Sequence, residues 1–148
     1  MKESNFVTAE IVFPVEFYDV DSMRIVWHGN YVKYMEKARC ALLNSVNYNY
    51  IDMENSGYMF PLVDIKFKYI RSLRFGEHCR IKCRLTEYEN CIKIAYDFYC
   101  DETGELTTRA ESTQMCVRIS DGETCFVCPD IFIKNVEGKL NELNEKKD

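Results

Sequence analysis

One helix-like stretch followed by several strand-like stretches is the pattern that most restricts how this chain can fold. From residue 30 to residue 46, apolar residues recur every three or four positions, which is the pattern of one buried face of an α-helix. These residues are Val32, Met35, Ala38, Leu42 and Val46. We therefore predict a helix that begins at about Trp27 or Asn30 and ends at Val46.

Strand patterns stand before and after this helix. Residues 11–17 alternate in character, and Pro14 suggests that this strand is an edge strand or contains a bulge. Residues 47–60 are polar and predict a connection with a short helical turn. Four alternating stretches follow, and we expect them to be consecutive strands joined by hairpins. They are Val63 to Tyr69, Cys79 to Leu85, Ile92 to Phe98, and Thr113 to Ile119.

The helix and the sheet can both bury their apolar faces if the sheet curls around the helix. The predicted fold class is therefore α+β, with a curved antiparallel β-sheet wrapped around one long central α-helix. The chain of 148 residues is predicted to form a single domain. Its residues from about 130 to 148 are expected to form a short helix and a charged tail. Because such a sheet leaves one edge open, we expect a dimer.

The composition argues against several classes of partner. Hydrophobic residues make up 47% of the chain, and a chain this apolar is not expected to be disordered. The formal net charge of -5 disfavours nucleic acid and anionic membranes as partners. The sequence shows no stretch typical of a membrane span or a signal peptide, which predicts a cytoplasmic protein. Eight cysteines are then expected to be reduced, packed thiols, and Cys125 and Cys128 lack the second ligand pair of a zinc site. We expect no metal and no other cofactor.

The segment 17–39, where the first strand meets the helix, is rich in polar and aromatic residues. It contains Asp19-x-Asp21, then Ile25-Val26-Trp27-His28-Gly29-Asn30-Tyr31, and then Tyr34-x-Glu36-x-x-Arg39. This ordered set resembles the signature of the 4-hydroxybenzoyl-CoA thioesterase-like family, which includes the YbgC-type acyl-CoA thioesterases. The resemblance implies a hot-dog fold and hydrolysis of an acyl-CoA thioester to a free acid and coenzyme A. It also implies a homodimer or a homotetramer built from dimers.

The resemblance assigns the catalytic role to Asp21 and a role in the site to His28, seven residues later. The chemistry agrees, because a helix N-terminus offers amide donors to a thioester carbonyl and a nearby carboxylate can attack that carbonyl or deprotonate water. The sequence leaves these two routes open. Trp27, Gly29 and Asn30 are expected to form or position the oxyanion site. Without the resemblance, an Asp before a helix is also an ordinary capping residue.

Other residues of the segment are expected to support the site. Asp19 is expected to support the catalytic carboxylate, whereas Glu36 and Arg39 lie three residues apart on the helix and are expected to pair. Two positions depart from the family pattern. Many relatives have Gly where this chain has Arg24, and several have Tyr where it has Phe17.

Family active sites lie at a dimer interface, which brings the first strand after the helix to the catalytic turn of the partner. The resulting candidates for the substrate pocket are Phe17, Tyr31, Leu62, Val63 and Asp64. Basic residues further along are candidates for binding the phosphates of coenzyme A or of phosphopantetheine, although a solvated strand face would also contain them. They are Lys66, Lys68, Arg71 and Arg74, with Arg80, Lys82 and Arg84 beyond them.

Two further functions stay open. The chain could release acyl groups from an acyl-carrier protein, or it could be a non-catalytic acyl-binding module of the same fold. A hydratase or dehydratase fits the DxD junction less well.

Overall fold

Eight strands and three α-helices lie within residues 6–145, which are the part of the chain described by this computed structural model. A 3-10 turn at Phe17–Asp19 precedes the first helix. In chain order the elements are β1 (Thr8–Pro14), α1 (Asn30–Ser45), α2 (Tyr50–Asn55), β2 (Tyr58–Met59), β3 (Leu62–Tyr69), β4 (His78–Glu87), β5 (Ile92–Cys100), β6 (Leu106–Gln114), β7 (Cys116–Arg118), β8 (Thr124–Cys125) and α3 (Asp130–Glu145).

The helix α1 packs against β1 and β4, and its apolar stripe is buried as predicted. Met35, Ala38 and Leu42 are at most 1% exposed, and they lie within one continuous hydrophobic core. The helix ends one residue before the predicted end at Val46. The short helix α2 confirms the helical turn expected between residues 47 and 60.

The larger sheet is antiparallel, with the strand order β1-β4-β5-β6-β3, and a smaller sheet contains β2, β7 and β8. The predicted edge position of β1 is confirmed in this order. The predicted hairpin between β3 and β4 is wrong, because β1 and β5 occupy the two edges of β4 and β3 pairs with β6 instead. Residues 70–77 therefore connect one edge strand of the sheet to a strand near its other edge.

The strand β6 begins earlier than the sequence pattern predicted. We expected the last strand at Thr113 to Ile119, whereas Leu106–Gln114 form β6 and Cys116–Arg118 form β7 in the smaller sheet. The inward-facing residues of β6 are small or polar, so they give no apolar alternation. Hydrogen bonds satisfy several of their polar groups: Ser112 Oγ pairs with Tyr96 Oη at 2.7 Å, and Gln114 Nε2 donates to the Phe60 carbonyl at 2.8 Å.

Both ends of the described chain also differ from expectation. The first strand stops at Pro14 instead of reaching Phe17, because the chain turns into the 3-10 segment. The C-terminal helix α3 has 16 residues and is not short. Its residue Phe132 is fully buried and lies 5.1 Å from the ring of Tyr48, so α3 completes the core.

Most of the cysteines are packing residues, as predicted. Six of the eight are buried, whereas Cys40 is exposed and Cys125 is half-buried. Burial raises the pKa of Cys83, Cys116 and Cys128 to about 12, so these thiols stay protonated at neutral pH. Separately, none of the helices within residues 6–145 has the length and apolar character that crossing a membrane requires.

Candidate functional site

A hairpin loop at residues 20–26, between β1 and α1, carries Asp21; we call it the Asp21 loop. The amide of Asp21 donates to the Ile25 carbonyl at 3.0 Å, and the amide of Arg24 donates to the Asp21 carbonyl at 2.9 Å. The Asp21 side chain is exposed, and its Oδ1 accepts the amide of Met23 at 2.8 Å. Its Oδ2 has no hydrogen-bond partner within residues 6–145, so one carboxylate oxygen is available for chemistry.

Asp19 joins the Asp21 loop to the start of α1. Its carbonyl accepts the Trp27 amide at 3.0 Å and the Asn30 side-chain amide at 2.7 Å. Its carboxylate accepts the Tyr34 hydroxyl at 2.8 Å and the Glu16 amide at 2.9 Å. Burial, and then the Asp19 carboxylate, raise the pKa of Tyr34 far above its usual value, so the hydroxyl remains a donor. The sequence assigned Asp19 a supporting role, and the geometry shows how it supports the loop.

The connection between β3 and β4 holds the Asp21 loop from a second side. The Val26 amide donates to the Leu73 carbonyl at 2.8 Å, and the Phe75 amide donates to the Arg24 carbonyl at 3.1 Å. The Leu73 amide donates to the Tyr31 hydroxyl at 3.1 Å. Tyr31 is only 2% exposed, so it supports the loop from beneath and does not line an open pocket on this chain, contrary to our expectation.

The backbone just before α1 provides amides without acceptors. The Asn30 amide donates to the Trp27 carbonyl at 2.9 Å, and the Tyr31 amide donates to the His28 carbonyl at 3.3 Å. We expected the first amides of the helix to form the oxyanion site, but these are already used. Within the part of the chain that the structure describes, the amides of His28 and Gly29 have no acceptor. They are the candidate oxyanion donors, whereas Trp27 and Asn30 position the segment.

The side chains of Trp27 and His28 form the exposed side of this segment. The rings of Trp27 and His28 lie 5.1 Å apart between centroids, and both residues are exposed. A Cβ at Gly29 would overlap the Trp27 ring, so glycine lets the indole lie over the backbone. The His28 carbonyl also accepts the Tyr69 hydroxyl at 3.3 Å, which ties the segment to the end of β3.

The structure places the other predicted pocket residues at separate positions. Phe17 is 73% exposed in the 3-10 turn, close to the start of the Asp21 loop. On β3, Leu62 is half-buried, whereas Val63 lies at a bulge and is 57% exposed. Asp64 is exposed and pairs with Thr113 of β6. Contact of these β3 residues with the Asp21 loop of a second copy stays a prediction.

The predicted basic cluster is divided between two places. Lys66 and Lys68 line a depression of about 460 Å³ on the sheet, together with Arg84 and Arg109. Arg71 and Arg74 lie instead on the connection beside the Asp21 loop. Ion pairs involve several of the basic residues: Arg71 with Glu77 at 3.1 Å and with Glu105 at 3.3 Å, Arg80 with Asp101 at 3.0 Å, and Arg84 with Asp97 at 3.7 Å. Lys82 lies 6.0 Å from the ring of Tyr99.

The predicted pair of Glu36 and Arg39 on α1 is confirmed. Arg39 is 3% exposed and also donates to the Tyr50 hydroxyl at 2.6 Å. This pair therefore connects α1 with α2, as a structural contact. Within residues 6–145, His, Cys, Asp and Glu side chains form no group of three or more that could hold a metal ion.

Sequence reasoning gave no role to Tyr34 or to Leu73. Tyr34 had a usable signal, because it lies one helical turn after Asn30 and puts a hydroxyl on an otherwise apolar face. Leu73 had no local signal, since its contacts join segments that are distant in sequence. Together these residues make the Asp21 loop a fixed support for a carboxylate.

Comparison with known proteins shows which family this chain matches. Residues 15–135 match the family model described as the thioesterase-like superfamily. A protein named "Putative acyl-CoA thioesterase YneP" from Bacillus subtilis is 36% identical over 104 residues, which cover 70% of this chain and 75% of that protein. The acyl-CoA thioesterase YbgC of Helicobacter pylori is 27% identical over 93 residues, which cover 62% of this chain and 68% of that protein.

Solved structures share the fold. A DHNA-CoA thioesterase from Staphylococcus aureus superposes with a TM-score of 0.75 at 24% sequence identity, and the match covers 97% of this chain and 95% of that chain. The predicted hot-dog fold is thereby confirmed.

Proposed function

Because this chain belongs to the thioesterase-like superfamily, we propose that it hydrolyses acyl-CoA thioesters with the carboxylate of Asp21. Membership of this family makes the chain a thioester hydrolase. The relatives YneP and YbgC are both named as acyl-CoA thioesterases, which favours a thioester of coenzyme A as the substrate. The coenzyme is then part of the substrate, and we assign no metal or other cofactor. A cytoplasmic location is part of this proposal.

One observation carries the assignment of the site. The Asp21 loop presents a carboxylate with a free oxygen, and the uncommitted amides of His28 and Gly29 follow it in the same segment. Hydrogen bonds from Trp27 and Asn30 to Asp19 fix the two parts relative to each other. A fixed carboxylate and fixed amide donors are the two groups that cleavage of a thioester needs.

The amides have the simpler role in this proposal. When a nucleophile adds to the thioester carbon, negative charge develops on the carbonyl oxygen. The N–H groups of His28 and Gly29 donate to that oxygen, at the N-terminus of α1, where the helix dipole favours negative charge. His28 is exposed, so its ring is free to orient the attacking group or the thioester.

Two routes are open to Asp21. As a nucleophile, its carboxylate adds to the thioester carbon and expels the coenzyme A thiolate, which gives a mixed anhydride that water then hydrolyses. As a general base, it accepts a proton from the water that adds to the same carbon, and the collapsing adduct again expels the thiolate. Rapid quenching followed by mass spectrometry separates them, because only the first route adds the mass of the acyl group to the peptide that contains Asp21.

The decisive test is release of free thiol from short, long, branched and aromatic acyl-CoAs. Asp21→Asn should lower turnover by roughly 10²- to 10⁴-fold, the range of a catalytic proton-transfer group. Asparagine keeps an oxygen that accepts the Met23 amide, so the Asp21 loop should stay folded. Equal activity in the variant would remove Asp21 from the mechanism.

Asp121→Asn is a matched control for this test. Asp121 is also an exposed aspartate in a tight loop, and its Oδ1 accepts the amide two residues later at 3.0 Å. The same substitution there should leave thiol release unchanged. A loss of activity in both variants would indicate a general effect on folding.

We also propose that two copies of the chain complete the site, as a dimer or a dimer of dimers. The strand β3 is at an edge of the larger sheet and exposes Val63, Ile65 and Tyr69 by 57%, 38% and 51%. An exposed apolar edge favours pairing with another strand. Analytical ultracentrifugation should give at least a dimer, and a proline in place of Ile65 should shift the mass toward that of one chain.

A second candidate substrate is an acyl group on a carrier protein. The depression lined by Lys66, Lys68, Arg84 and Arg109 favours it, because these four cations exceed the two carboxylates there, Asp97 and Glu111, and could hold an acidic partner surface. Reversal of Lys66 and Lys68 to Glu should lower activity on an acidic carrier-protein thioester, while a small acyl-pantetheine thioester without phosphates should still be cleaved. Equal effects on both substrates would argue against a carrier protein.

A further inference from the structure

Two of the eight arginines in this chain differ from the others in their electrostatic partners. Six form ion pairs with carboxylates inside the described chain: Arg39, Arg71, Arg80, Arg84, Arg109 and Arg118. Arg24 and Arg74 have no carboxylate within 4.0 Å among residues 6–145. Both side chains are exposed. Arginine without an internal partner is available to an external anion.

Arg24 and Arg74 lie next to each other in the pairing that supports the Asp21 loop. Ile25 forms a β-bridge with Arg74, and the Phe75 amide donates to the Arg24 carbonyl at 3.1 Å. The two unpaired arginines of the described chain therefore both lie at the loop that carries the proposed catalytic carboxylate.

The nearby carboxylates have other partners. Glu77 Oε1 accepts the backbone amide of Arg74 at 2.8 Å, and Glu77 Oε2 accepts the guanidinium of Arg71 at 3.1 Å. Asp21 Oδ1 accepts the amide of Met23. Neither guanidinium group therefore has a carboxylate within 4.0 Å among residues 6–145, although the chain as a whole has a net charge of -5.

The backbone at Arg24 adds a second, independent observation. Arg24 has a φ of 64°, in the left-handed region that glycine occupies without strain. Among residues 6–145, the other left-handed positions are occupied by Gly57, Gly76, Gly104 and Gly122 and by Asn47, a residue type that tolerates this region. An exposed arginine gains no packing energy there. Strained positions of this kind cluster at functional sites.

Exposed apolar residues near Arg24 and Arg74 in the chain indicate what kind of ligand this surface fits. Met23, Trp27 and Phe75 lie in the same two segments and are 71%, 52% and 52% exposed, so these segments present apolar side chains as well as the two cations. Such a surface matches a molecule with an apolar part and an anionic group. Phosphate and carboxylate groups both fit the planar fork of a guanidinium.

We infer that Arg24 and Arg74 bind an anionic group of the thioester substrate and thereby determine which substrates the Asp21 loop accepts. This inference rests on the proposed thioesterase function. The anion is either a phosphate of the coenzyme A part or a carboxylate at the far end of the acyl chain. These two sources share the same chemistry at the arginines.

Four substrates distinguish the sources: pentanoyl and glutaryl thioesters, each on coenzyme A and on pantetheine, which lacks the phosphates. We compare kcat/KM ratios for the natural protein, Arg24→Gln, Arg24→Lys and Arg74→Gln. Gln removes the charge at a similar length, whereas Lys retains it. Arg118→Gln is the control, since Arg118 is paired with Asp121 in another loop.

If the anion is a phosphate, Arg24→Gln and Arg74→Gln should each lower the ratio of coenzyme A to pantetheine substrates roughly 10-fold, through KM. If it is an acyl carboxylate, the ratio of glutaryl to pentanoyl substrates should fall instead by a similar factor. Arg24→Lys should retain most of the preference, and Arg118→Gln all of it. Unchanged ratios in both Gln variants would overturn the inference.

Binding measurements keep this test separate from that of the thioesterase function. Non-hydrolysable thioether analogues of the same four substrates report the arginine contacts by calorimetry without any turnover. If the natural protein cleaves none of the thioesters, the proposed function fails, and the binding ratios still decide the role of Arg24 and Arg74.

Discussion

The loop at Asp21 and the loop at Asp121 share the same aspartate hydrogen bond. They differ in whether the aspartate forms an ion pair and in which residue takes the left-handed backbone position. In the loop between β7 and β8, Asp121 Oδ1 accepts the Glu123 amide at 3.0 Å, just as Asp21 Oδ1 accepts the Met23 amide at 2.8 Å. This is the usual way in which an aspartate closes a turn. Local hydrogen bonding alone therefore does not separate the two loops.

The two loops differ at the second carboxylate oxygen of the aspartate and at the residue with a positive φ. Asp121 Oδ2 accepts the guanidinium of Arg118 at 2.7 Å, and Gly122 occupies the left-handed position of the loop with a φ of 72°. At the other loop, Asp21 has no cation partner among residues 6–145, and Arg24 occupies the left-handed position. Ordinary turn chemistry accounts for the Asp121 loop and leaves the Asp21 loop unexplained, which is what a site under functional constraint shows.

The largest effect beyond the catalytic carboxylate is expected from Tyr34, since only the Asp21 loop is held by a buried hydroxyl through Asp19. Tyr34→Phe should lower kcat roughly 10-fold, through lost positioning, and stability by about 1 to 2 kcal/mol. KM should change little. Steady-state kinetics and urea unfolding measure these quantities.

Tyr48→Phe is the matched control for Tyr34→Phe. Tyr48 is also fully buried, and its hydroxyl pairs with Ser56 Oγ at 2.8 Å in the region of α2. It should cost about 1 kcal/mol of stability and leave kcat unchanged. If both variants lose activity in proportion to their stability, Tyr34 has no positioning role.

A smaller effect is expected when the left-handed residues of the two loops are changed. Gly122→Arg should destabilise the protein by about 1 kcal/mol, whereas Arg24→Asn should stabilise it by about 0.5 kcal/mol because asparagine tolerates this region better. Thermal or chemical unfolding measures both. A neutral Gly122→Arg would show that a positive φ is not strained here, and would weaken the argument drawn from Arg24.

The smallest effect concerns the pH response of the Asp121 loop. The Glu123 amide, and then Arg118, lower the pKa of Asp121 below its usual value. Since the native state favours the charged form, its stabilising contribution is present above the unfolded pKa and is lost as the pH falls through the native pKa. Arg118→Gln should raise this pKa, as measured by carbon-13 NMR of the carboxyl group. No change would mean that the ion pair does not form in solution.

Elements with a local pattern could be predicted from the sequence. The helix α1 and the strands β4 and β5 follow the periodicity of their own residues, and the short helix α2 lies in the polar stretch where a helical turn was expected. Asp21 became a candidate because of its place in a family motif, since an aspartate in a turn is unremarkable by itself. The contrast with Asp121 illustrates this, because composition and spacing do not separate the two residues.

The features that escaped prediction depend on contacts between distant segments. The pairing of β3 with β6 is decided by which strand edges remain free, and the start of β6 is hidden because its inward residues include Thr108 and Ser112. The length of α3 depends on where Phe132 can be buried. Likewise, the amides of Asn30 and Tyr31 are not available as oxyanion donors because they form hydrogen bonds in local turns that the sequence does not reveal.

The hydrogen bond from the Leu73 amide to the Tyr31 hydroxyl joins residues 42 positions apart in the chain. During synthesis, the Asp21 loop cannot acquire this support until the segment around Leu73 has left the ribosome. Closing such a long span costs entropy, so the loop should become ordered late in folding. A nascent chain that stops after α2 should therefore expose the Asp21 loop to proteases, and the enzyme should gain activity only once the β3–β4 connection has been made.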